Sequence, residues 1–283
     1  MFGFINIYKP KGKTSHDVVA ILRRITKIKQ IGHTGTLDPF AEGVLPICIG
    51  KATRLIEYLD DDKAYIGTVQ LGKSTSTYDT EGEIVKTSDK KISKEEIEIA
   101  LQQFRGKIQQ LPPIYSAIKV NGKKLYEYAR KGEDVEIKPR DVEIFKLEIV
   151  DFDEENQTVD LHIECSKGTY IRSIANDLGN VLGCYGHLIK LVRTKAGKFE
   201  LANSFKLDEL ESKENVSNNM IYPLEYLDYP KYSLNENEKQ KVSNGMSINI
   251  DLSDGLCVLV WEKELAAIAE IKDKKAKICK MFL

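Results

Sequence analysis

The chain of 283 residues has no apolar run close to the roughly 20 residues that a membrane-spanning helix requires. Its opening stretch, MFGFINIYKPKGK, has no apolar segment behind a basic head and no small-residue cleavage site. We therefore expect a soluble, cytoplasmic protein without a secretory signal and without a membrane partner.

Cysteine is scarce, and its spacing shows no pairing. The five cysteines are odd in number, widely spread and never in a C-x-x-C pair: Cys48, Cys165, Cys184, Cys257 and Cys279. This pattern predicts neither a disulfide framework nor a zinc site, and buried thiols are the expected state.

A large excess of charge of one sign is also absent, because the net charge is -1. The basic residues are nevertheless clustered. Residues 1–54 hold nine Lys/Arg against three Asp/Glu, residues 105–140 nine against four, and residues 165–199 six against one. If these stretches meet on one face of the fold, that face can neutralise the phosphates of a nucleic acid. A merely solvated exterior is the alternative interpretation.

The hydrophobic pattern predicts strands and helices in irregular alternation. GFINIY is predicted as a first strand, and Ser15 as the cap of the helix that follows it. The apolar face of that helix consists of Val18, Val19, Leu22 and Ile25. Strands are predicted at VLPICIG and AYIGTVQLG, on either side of a short helix KATRLIEYL, and Ser93 with Glu96 forms a capping box for another helix.

Later segments complete the prediction of fold class. VEIFKLEIVDF and TVDLHIEC alternate as a hairpin, and TYIRSIANDLGNVLG returns to helical periodicity. Because no strict βαβ alternation appears, we predict an α+β fold with a mixed or antiparallel sheet.

Two regions depart from this pattern. Residues 112–140 carry Tyr115, Tyr126 and Tyr128 among lysines and predict a protruding excursion. Near residue 226 the pattern restarts with a polar helix, NENEKQKV, followed by the strand-like runs SINID, GLCVLVWE and LAAIAEIK. We therefore predict a main domain over residues 1–226 and a small docked β-barrel over residues 227–283.

The densest unusual segment is GHTGTLDPFAEGVLPICIG, residues 32–50. Asp38 is its only acid before Glu42, and Pro39 disfavours helical backbone at Asp38. The surrounding glycines allow special dihedrals or close approach of the backbone to a ligand. A catalytic carboxylate and an aspartate that only caps a turn both fit this pattern.

The segment resembles G-H-T-G-x-L-D-P, the catalytic motif of the TruB-type tRNA pseudouridine-55 synthases. Other blocks resemble that family in the same order: KPKGKTSHDVV, YIGTVQLG with TSTYDTEG, PPIYSAIKVNGKKLYEYARKG, CSKGTYIRSIANDLG and HLIKLVRTKAG. They cover about residues 4–200. The resemblance implies a pseudouridine synthase catalytic domain with an RNA-binding thumb inserted at 112–140. Residues 227–283 resemble the small PUA-like domain of stand-alone bacterial members.

The resemblance also implies roles for individual residues. Asp38 is the essential carboxylate and Arg172 its partner, whereas Tyr65 stacks on the target base. The pocket residue is Leu191. Without the resemblance, Tyr65 and Leu191 would be interpreted as plain core residues.

Four further residues lie in the same blocks. His33 is implied to hold the RNA loop open, and Asp79 to belong to the polar network of the site. Lys9 and Tyr170 are expected to contribute to substrate binding. A loop histidine hydrogen-bonded to backbone is the alternative interpretation of His33.

The implied reaction isomerises a uridine in the T loop of tRNA to pseudouridine. The C1′–N1 bond breaks and the base rejoins through C5, so nothing is consumed and no cofactor or metal is expected. Asp38 could attack covalently or remove a sugar proton, and both routes need an ionised carboxylate. A dry pocket would raise the pKa of Asp38, which the Arg172 guanidinium would oppose. Tyr65 could accept the C5 proton if its own pKa is lowered.

Three alternatives remain from the sequence alone. A protein that only binds or folds tRNA would use the basic stretches without catalysis. A phosphotransferase is suggested by Gly50 and Lys51, but the spacing of a P-loop fails because Ala52 follows Lys51. A metal site at His33 and Asp38 would have too few ligands. For the stand-alone enzyme we expect a monomer with tRNA as its partner and no obligatory protein partner.

Overall fold

The computed structural model describes the whole chain, residues 1–283. Its strands, in chain order, are β1 Gly3–Lys9, β2 Ile31–His33, β3 Glu42–Ile49, β4 Lys63–Leu71, β5 Lys73–Thr75, β6 Ile84–Thr87, β7 Gly106–Gln110, β8 Lys119–Val120, β9 Lys123–Lys124, β10 Arg140–Asp153, β11 Thr158–Cys165, β12 Gly186–Ala196, β13 Phe199–Glu200, β14 Lys231–Ser233, β15 Ile248–Asn249, β16 Gly255–Trp261, β17 Glu264–Lys272 and β18 Lys275–Met281. Its α-helices are α1 Ser15–Thr26, α2 Lys94–Leu101, α3 Leu125–Lys131, α4 Ile171–Val181, α5 Lys213–Asn218 and α6 Glu236–Ser243. None of these helices is both long and apolar enough to cross a membrane.

The larger sheet has nine strands. Its main order is β1-β3-β12-β4-β11-β10-β7, with β2 joined to β3 and β13 joined to β12. The pairing of β12 with β3 is parallel, and the other pairings in this sheet are antiparallel. The predicted α+β class with a mixed sheet is confirmed. Because β12 inserts between β3 and β4, it brings residues near 190 beside the loop that carries Asp38.

Helix α1 is capped by Thr14, so the prediction that Ser15 is the cap was wrong. The Thr14 hydroxyl accepts a hydrogen bond from the Asp17 N–H, and the Asp17 carboxylate accepts one from the Thr14 N–H. Ser15 is the first helical residue, and its buried side chain faces the protein interior. The predicted apolar face is confirmed, with these positions buried: Val18, Val19 and Leu22.

Of two other helix predictions, the capping box of α2 is confirmed, whereas KATRLIEYL forms a different type of helix. The capping box of Ser93 and Glu96 at the start of α2 is present as predicted. The segment KATRLIEYL is helical, but it forms a 3₁₀ helix over Gly50–Tyr58.

The excursion at residues 112–140, which we call the thumb, leaves the larger sheet between β7 and β10. These two strands are antiparallel neighbours and pair Gln110 with Arg140, so the thumb begins and ends at one place. It contains the short strands β8 and β9 and helix α3. In α3 the Arg130 guanidinium carbon lies 5.3 Å from the centre of the Tyr126 ring. The thumb therefore presents aromatic and basic groups together.

From Lys231 onward the chain forms a second sheet of five strands in the order β14-β16-β17-β18-β15. The predicted polar helix is present as α6. The predicted small β domain is present, and its strand order has two ends, so its hydrogen-bonded strands form an open sheet. Strand β14 was not predicted, because three residues carry too little pattern to be recognised.

The second sheet is docked on the first by apolar packing. One hydrophobic cluster joins residues of both sheets: Phe4, Val44, Cys48, Val258, Leu265 and Ile268. The Phe2 and Phe282 rings stack with their centres 5.6 Å apart. Lys51 Nζ donates to the carbonyls of Phe282 and Leu283 at 3.1 and 3.2 Å. Lys51, which suggested a P-loop, therefore helps to join the two sheets. The domain boundary at residue 226 stays a prediction.

Candidate active site

Asp38 lies in the loop between β2 and β3, residues 34–41. These strands are antiparallel partners, so the loop reverses the chain at one end of the sheet. The Thr34 N–H donates to the Pro46 carbonyl and the Ala41 N–H to the Asp38 carbonyl, both at 3.1 Å. Asp38 itself is in neither helix nor strand, as expected for a residue before proline.

Helix α1 fixes this loop next to Asp38. The Ser15 hydroxyl accepts a hydrogen bond from the Leu37 N–H at 2.8 Å and donates to the Leu37 carbonyl at 3.1 Å. Both bonds are buried, where breaking one would leave an unpaired polar group. The backbone N–H and carbonyl of Leu37, the residue before Asp38, are therefore both hydrogen-bonded to helix α1.

Arg193 fixes the same loop from β12 and is fully buried. Its Nε donates to the Val44 carbonyl at 2.7 Å, and its two terminal nitrogens donate to the carbonyls of Gly35 and Thr36 at 3.1 and 3.3 Å. These partners are all backbone carbonyls. The guanidinium therefore sets the path of the chain that leads to Asp38.

Lys9 is fully buried at the end of β1 and does not line the cavity described below. Its Nζ donates to the carbonyls of Lys13, Pro10 and Pro39 at 2.6, 3.1 and 3.5 Å. Burial lowers the pKa of Lys9 to about 8, and the negative charge of Asp38 partly opposes this. Lys9 therefore ties the KPKG turn to the residue that follows Asp38, which makes it a positioning residue.

Arg172, in the first turn of α4, joins two carboxylates. Its Nε lies 2.9 Å from Asp38 Oδ2 and its Nη1 lies 3.3 Å from Asp79 Oδ2. It also donates to the carbonyls of Thr77 and Tyr115 at 3.0 and 3.1 Å. With 6% of its side chain exposed, the guanidinium is buried and held on several sides. Such a group can neither swing away nor lose its proton, so it keeps the Asp38 carboxylate in one orientation.

Asp79 supports this arrangement from inside the protein. Its side chain is 2% exposed. Its Oδ1 accepts hydrogen bonds from the Thr77 hydroxyl at 2.5 Å and from the Glu81 N–H at 2.9 Å. Asp79 does not line the cavity, so its contribution to the polar network is to hold Arg172.

The thumb is attached to the first turn of α4. The side-chain amide of Gln110 donates to the Tyr170 carbonyl at 3.0 Å and accepts from the Tyr170 N–H at 2.7 Å. The Ser173 hydroxyl donates to the Leu111 carbonyl at 2.8 Å. Together with the bond from Arg172 to the Tyr115 carbonyl, these contacts link the base of the thumb to the partner of Asp38.

A cavity of about 600 Å³ opens in front of Asp38. Its walls come from residues 34–39, 61, 63, 65, 115–117, 126, 167–172 and 191. Tyr65 and Leu191 give it an apolar side, and both are about 5% exposed. Its volume lies within the roughly 300–1,000 Å³ that is usual for small-ligand pockets. The β2–β3 loop, the thumb and α4 therefore enclose a site large enough for a nucleotide.

The Asp38 carboxylate is 34% exposed and lines this cavity. Burial raises the pKa of Asp38, the Arg172 guanidinium opposes that rise, and the nearby negative charge of Asp79 adds to it. Arg172 therefore favours the ionised form of Asp38.

Tyr65 can act as a base only if its pKa is lowered, and this requirement is not met in the structure. Burial raises the pKa of Tyr65 to about 12, although the positive charge of Arg193 opposes the rise. The phenol is therefore protonated at neutral pH. Its position on the cavity wall suits stacking on a base.

The remaining candidate residues lie in different surroundings. Tyr170 lines the cavity, and burial raises the pKa of its phenol. His33 is half-buried and does not line the cavity. Its Nδ1 is buried without a hydrogen-bond partner, whereas the Gly35 backbone favours the protonated imidazole, so the backbone-bonded alternative stays a prediction. Burial lowers the pKa of His33, which leaves the imidazole neutral at physiological pH.

Sequence reasoning missed two residues that position Asp38, namely Ser15 and Arg193. For Arg193 a signal was present, because it lies two residues after Leu191 on one strand and so shares its inward face. An arginine at an inward position requires buried partners. For Ser15 no signal existed, because its partner Leu37 is 22 residues away in sequence.

Other predictions concern cysteine and metal ligands. Four cysteines are buried, as expected, but Cys279 is exposed. No three His, Cys, Asp or Glu side chains lie together in a way that could hold a metal ion.

The chain is similar to known proteins over nearly its whole length. Residues 23–171 match the family described as "TruB family pseudouridylate synthase (N terminal domain)", and residues 172–227 match "tRNA pseudouridylate synthase B C-terminal domain". Curated relatives named tRNA pseudouridine synthase B include one from Oceanobacillus iheyensis, which is 46% identical over 88% of this chain and 85% of its own length. Another, from Clostridioides difficile, is 50% identical over 87% of this chain and 83% of its own length.

The fold is also shared with a solved structure. One chain of a crystal structure of a Cbf5-Nop10-Gar1 complex aligns with a TM-score of 0.75 at 25% identity, over 100% of this chain and 85% of that chain. The five-stranded sheet that begins at Lys231 lies beyond the residues matched by the two family descriptions.

Proposed function

Because the chain belongs to the TruB family of pseudouridylate synthases, we propose that it isomerises a uridine of the tRNA T loop to pseudouridine, with Asp38 as catalytic carboxylate. Isomerisation of uridine in tRNA is the activity that its curated relatives are named for. The observation that carries the assignment of Asp38 is its ion pair with Arg172, 2.9 Å long, at the wall of a nucleotide-sized cavity.

The geometry supports a role for an ionised Asp38. Attack at C1′ or C6, or removal of a sugar proton, each begins with a carboxylate that is charged and correctly aimed. Arg172 favours the charged form, and its bonds to Asp79, Thr77 and Tyr115 hold it in place. Ser15 and Arg193 hold the loop, so the carboxylate does not have to be oriented during the reaction.

Access to the cavity requires that the uridine leave its stack, which costs a few kcal/mol of lost stacking and pairing. Tyr65 is suited to stack on the displaced base, and Leu191 to close the apolar side of the cavity. Tyr170 and the thumb are suited to contact the RNA around the flipped nucleotide, because aromatic rings stack on bases and lysines meet phosphates.

The test is conversion of an unmodified tRNA transcript by the purified protein, mapped by carbodiimide-primed reverse-transcription stops. We expect one stop in the T loop, at position 55. Asp38→Asn should abolish it while tRNA binding is largely retained, because the substitution keeps the shape and removes the charge. Asp89→Asn, at an exposed loop position, is the matched control and should convert tRNA like the wild type.

Two results would contradict the proposal. A stop outside the T arm would reject the assigned substrate. Undiminished conversion by Asp38→Asn would remove Asp38 from the chemistry. Binding of tRNA by the wild type without any conversion would favour the alternative, a protein that only binds or folds tRNA.

We further propose that the protein works as a cytoplasmic monomer, with tRNA as its partner and without an obligatory protein partner. The thumb supports tRNA as the partner, because this one chain presents aromatic and basic groups together there. Light scattering of the purified protein with and without tRNA tests the monomer; a stable dimer would contradict it.

A further inference from the structure

Two lysines meet one carboxylate at the edge of the cavity. Lys63 Nζ lies 3.3 Å from Asp61 Oδ1, and Lys167 Nζ lies 3.3 Å from Asp61 Oδ2. All three residues line the same cavity as Asp38. None of them takes part in holding Arg172 or the β2–β3 loop.

The sheet brings the two lysines together. Lys63 is the first residue of β4, and it shares a face with Tyr65, two residues later. It pairs with Cys165, the last residue of β11, and Lys167 follows two residues after that strand ends. The lysines therefore belong to the frame of the site, although they are 104 residues apart in the sequence.

The exposure of the three side chains places them between the cavity and solvent. Lys63 is 14% exposed, Asp61 35% and Lys167 78%. Flipping one nucleotide into the cavity brings the phosphates on either side of it to the rim of the cavity. Two ammonium groups at such a position are suited to bind a phosphate, and one carboxylate balances only one of them.

We propose that Lys63 and Lys167 form a subsite for a phosphate of the RNA backbone beside the flipped nucleotide, and that Asp61 occupies this subsite in the free protein. The proposal rests on the proposed function, because it needs an RNA substrate in the cavity. The ion pair between Lys167 and Asp61 is exposed and therefore weak, so a phosphate can displace the Asp61 carboxylate from Lys167 at small cost. In the free protein Asp61 keeps the two lysines oriented. Because it competes with the phosphate for them, it also lowers the affinity for RNA.

The proposal predicts opposite effects for the acid and the lysines. Asp61→Asn should lower the Kd for an unmodified tRNA transcript about two- to five-fold at low salt, because an exposed pair is worth at most about 1 kcal/mol. Lys63→Gln and Lys167→Gln should each raise KM and reduce the slope of log Kd against log salt by roughly 0.7–0.9, the amount for one phosphate contact. In all three variants kcat should change less than KM.

Two further variants keep the test sharp. Asp60→Asn removes the same charge one residue away at an exposed position that does not line the cavity, and it should leave Kd unchanged. Lys63→Arg keeps the charge and should restore the salt slope, which a purely structural role of Lys63 does not predict.

Filter binding and tritium release measure these quantities on the full-length protein. The subsite is overturned if neither lysine variant changes the salt slope. The role of Asp61 is overturned if Asp61→Asn binds tRNA no better than Asp60→Asn does. If the wild type converts tRNA but the variants do not show these changes in Kd and salt slope, only the subsite is wrong. If the wild type does not convert tRNA, the proposed function itself is contradicted.

Discussion

At the scale of single residues, the carboxylate of Asp38 is harder to ionise in the folded protein than in the unfolded chain. Burial raises its pKa, and Arg172 cancels only part of that rise. A raised carboxyl pKa means that the folded state holds its proton more tightly, so folding stability falls as pH rises through this pKa. The site therefore keeps a charge that costs stability at neutral pH, as functional groups often do.

This gives a prediction for Asp38→Asn. The variant should have a higher Tm than the wild type at pH 7, because it lacks the partly desolvated negative charge of Asp38. The difference should shrink as pH falls and vanish below the pKa of an unfolded aspartate, near 3.9. Differential scanning calorimetry between pH 3 and pH 8 measures this; a lower Tm for Asp38→Asn at pH 7 would show that the ion pair with Arg172 stabilises the fold.

At the scale of elements, helix α1 has two neighbouring hydroxyl groups with different functions. Thr14 caps the helix, and Ser15 binds Leu37 beside Asp38. Loss of either hydroxyl removes hydrogen bonds, but only the loss at Ser15 frees the loop that carries Asp38.

The two alanine variants separate stability from positioning. Thr14→Ala should cost about 1 kcal/mol of unfolding free energy and leave kcat close to that of the wild type. Ser15→Ala should cost about 1–3 kcal/mol and lower kcat roughly ten-fold with little change in KM, because misplacement of a reacting group slows the chemical step. Urea denaturation and steady-state kinetics give both numbers. Equal kcat in the two variants would show that the bonds to Leu37 do not position Asp38.

At the scale of the whole molecule, the second sheet is joined to the first by a shared hydrophobic cluster and by the last residues of the chain. The Phe282 ring is stacked on Phe2, and Lys51 and Arg54 donate to carbonyls of residues 281–283. Two units coupled in this way are expected to unfold together.

Calorimetry of the full chain should therefore show a single unfolding transition. Phe282→Ala should lower the Tm of that whole transition, since removal of a buried phenylalanine costs about 3 kcal/mol. Leu283→Ala, at a neighbouring position that is 40% exposed, is the control and should have little effect. Two separate transitions, with only the smaller one moved by Phe282→Ala, would show that residues 227–283 form an independent domain.

The sequence alone was sufficient to predict many of the strands and helices and the family. Hydrophobic alternation located the long strands, and the periodicity of 3.6 located α1, α2 and α4, because these patterns are local. The motif around Asp38 and the blocks at Tyr65, Arg172 and Leu191 indicated the family, since each block keeps its residue types in order. Short strands such as β14 and the order of the second sheet were missed, because they depend on partners far along the chain. The cap at Thr14 was missed for a different reason: its partner Asp17 is only three residues away, but the neighbouring Ser15 has the same capping chemistry.

What the sequence determined by itself is therefore the long strands and main helices, the acid at residue 38 and the resemblance to the family. Only the tertiary structure decided which groups surround that acid. The order β3-β12-β4 brings Arg193 to the loop, α4 brings Arg172 between Asp38 and Asp79, and neighbouring strand ends bring Lys63 and Lys167 to one carboxylate. The physical reason is that burial and electrostatic coupling act through space, so a pKa or an ion pair is set by neighbours that chain order does not specify.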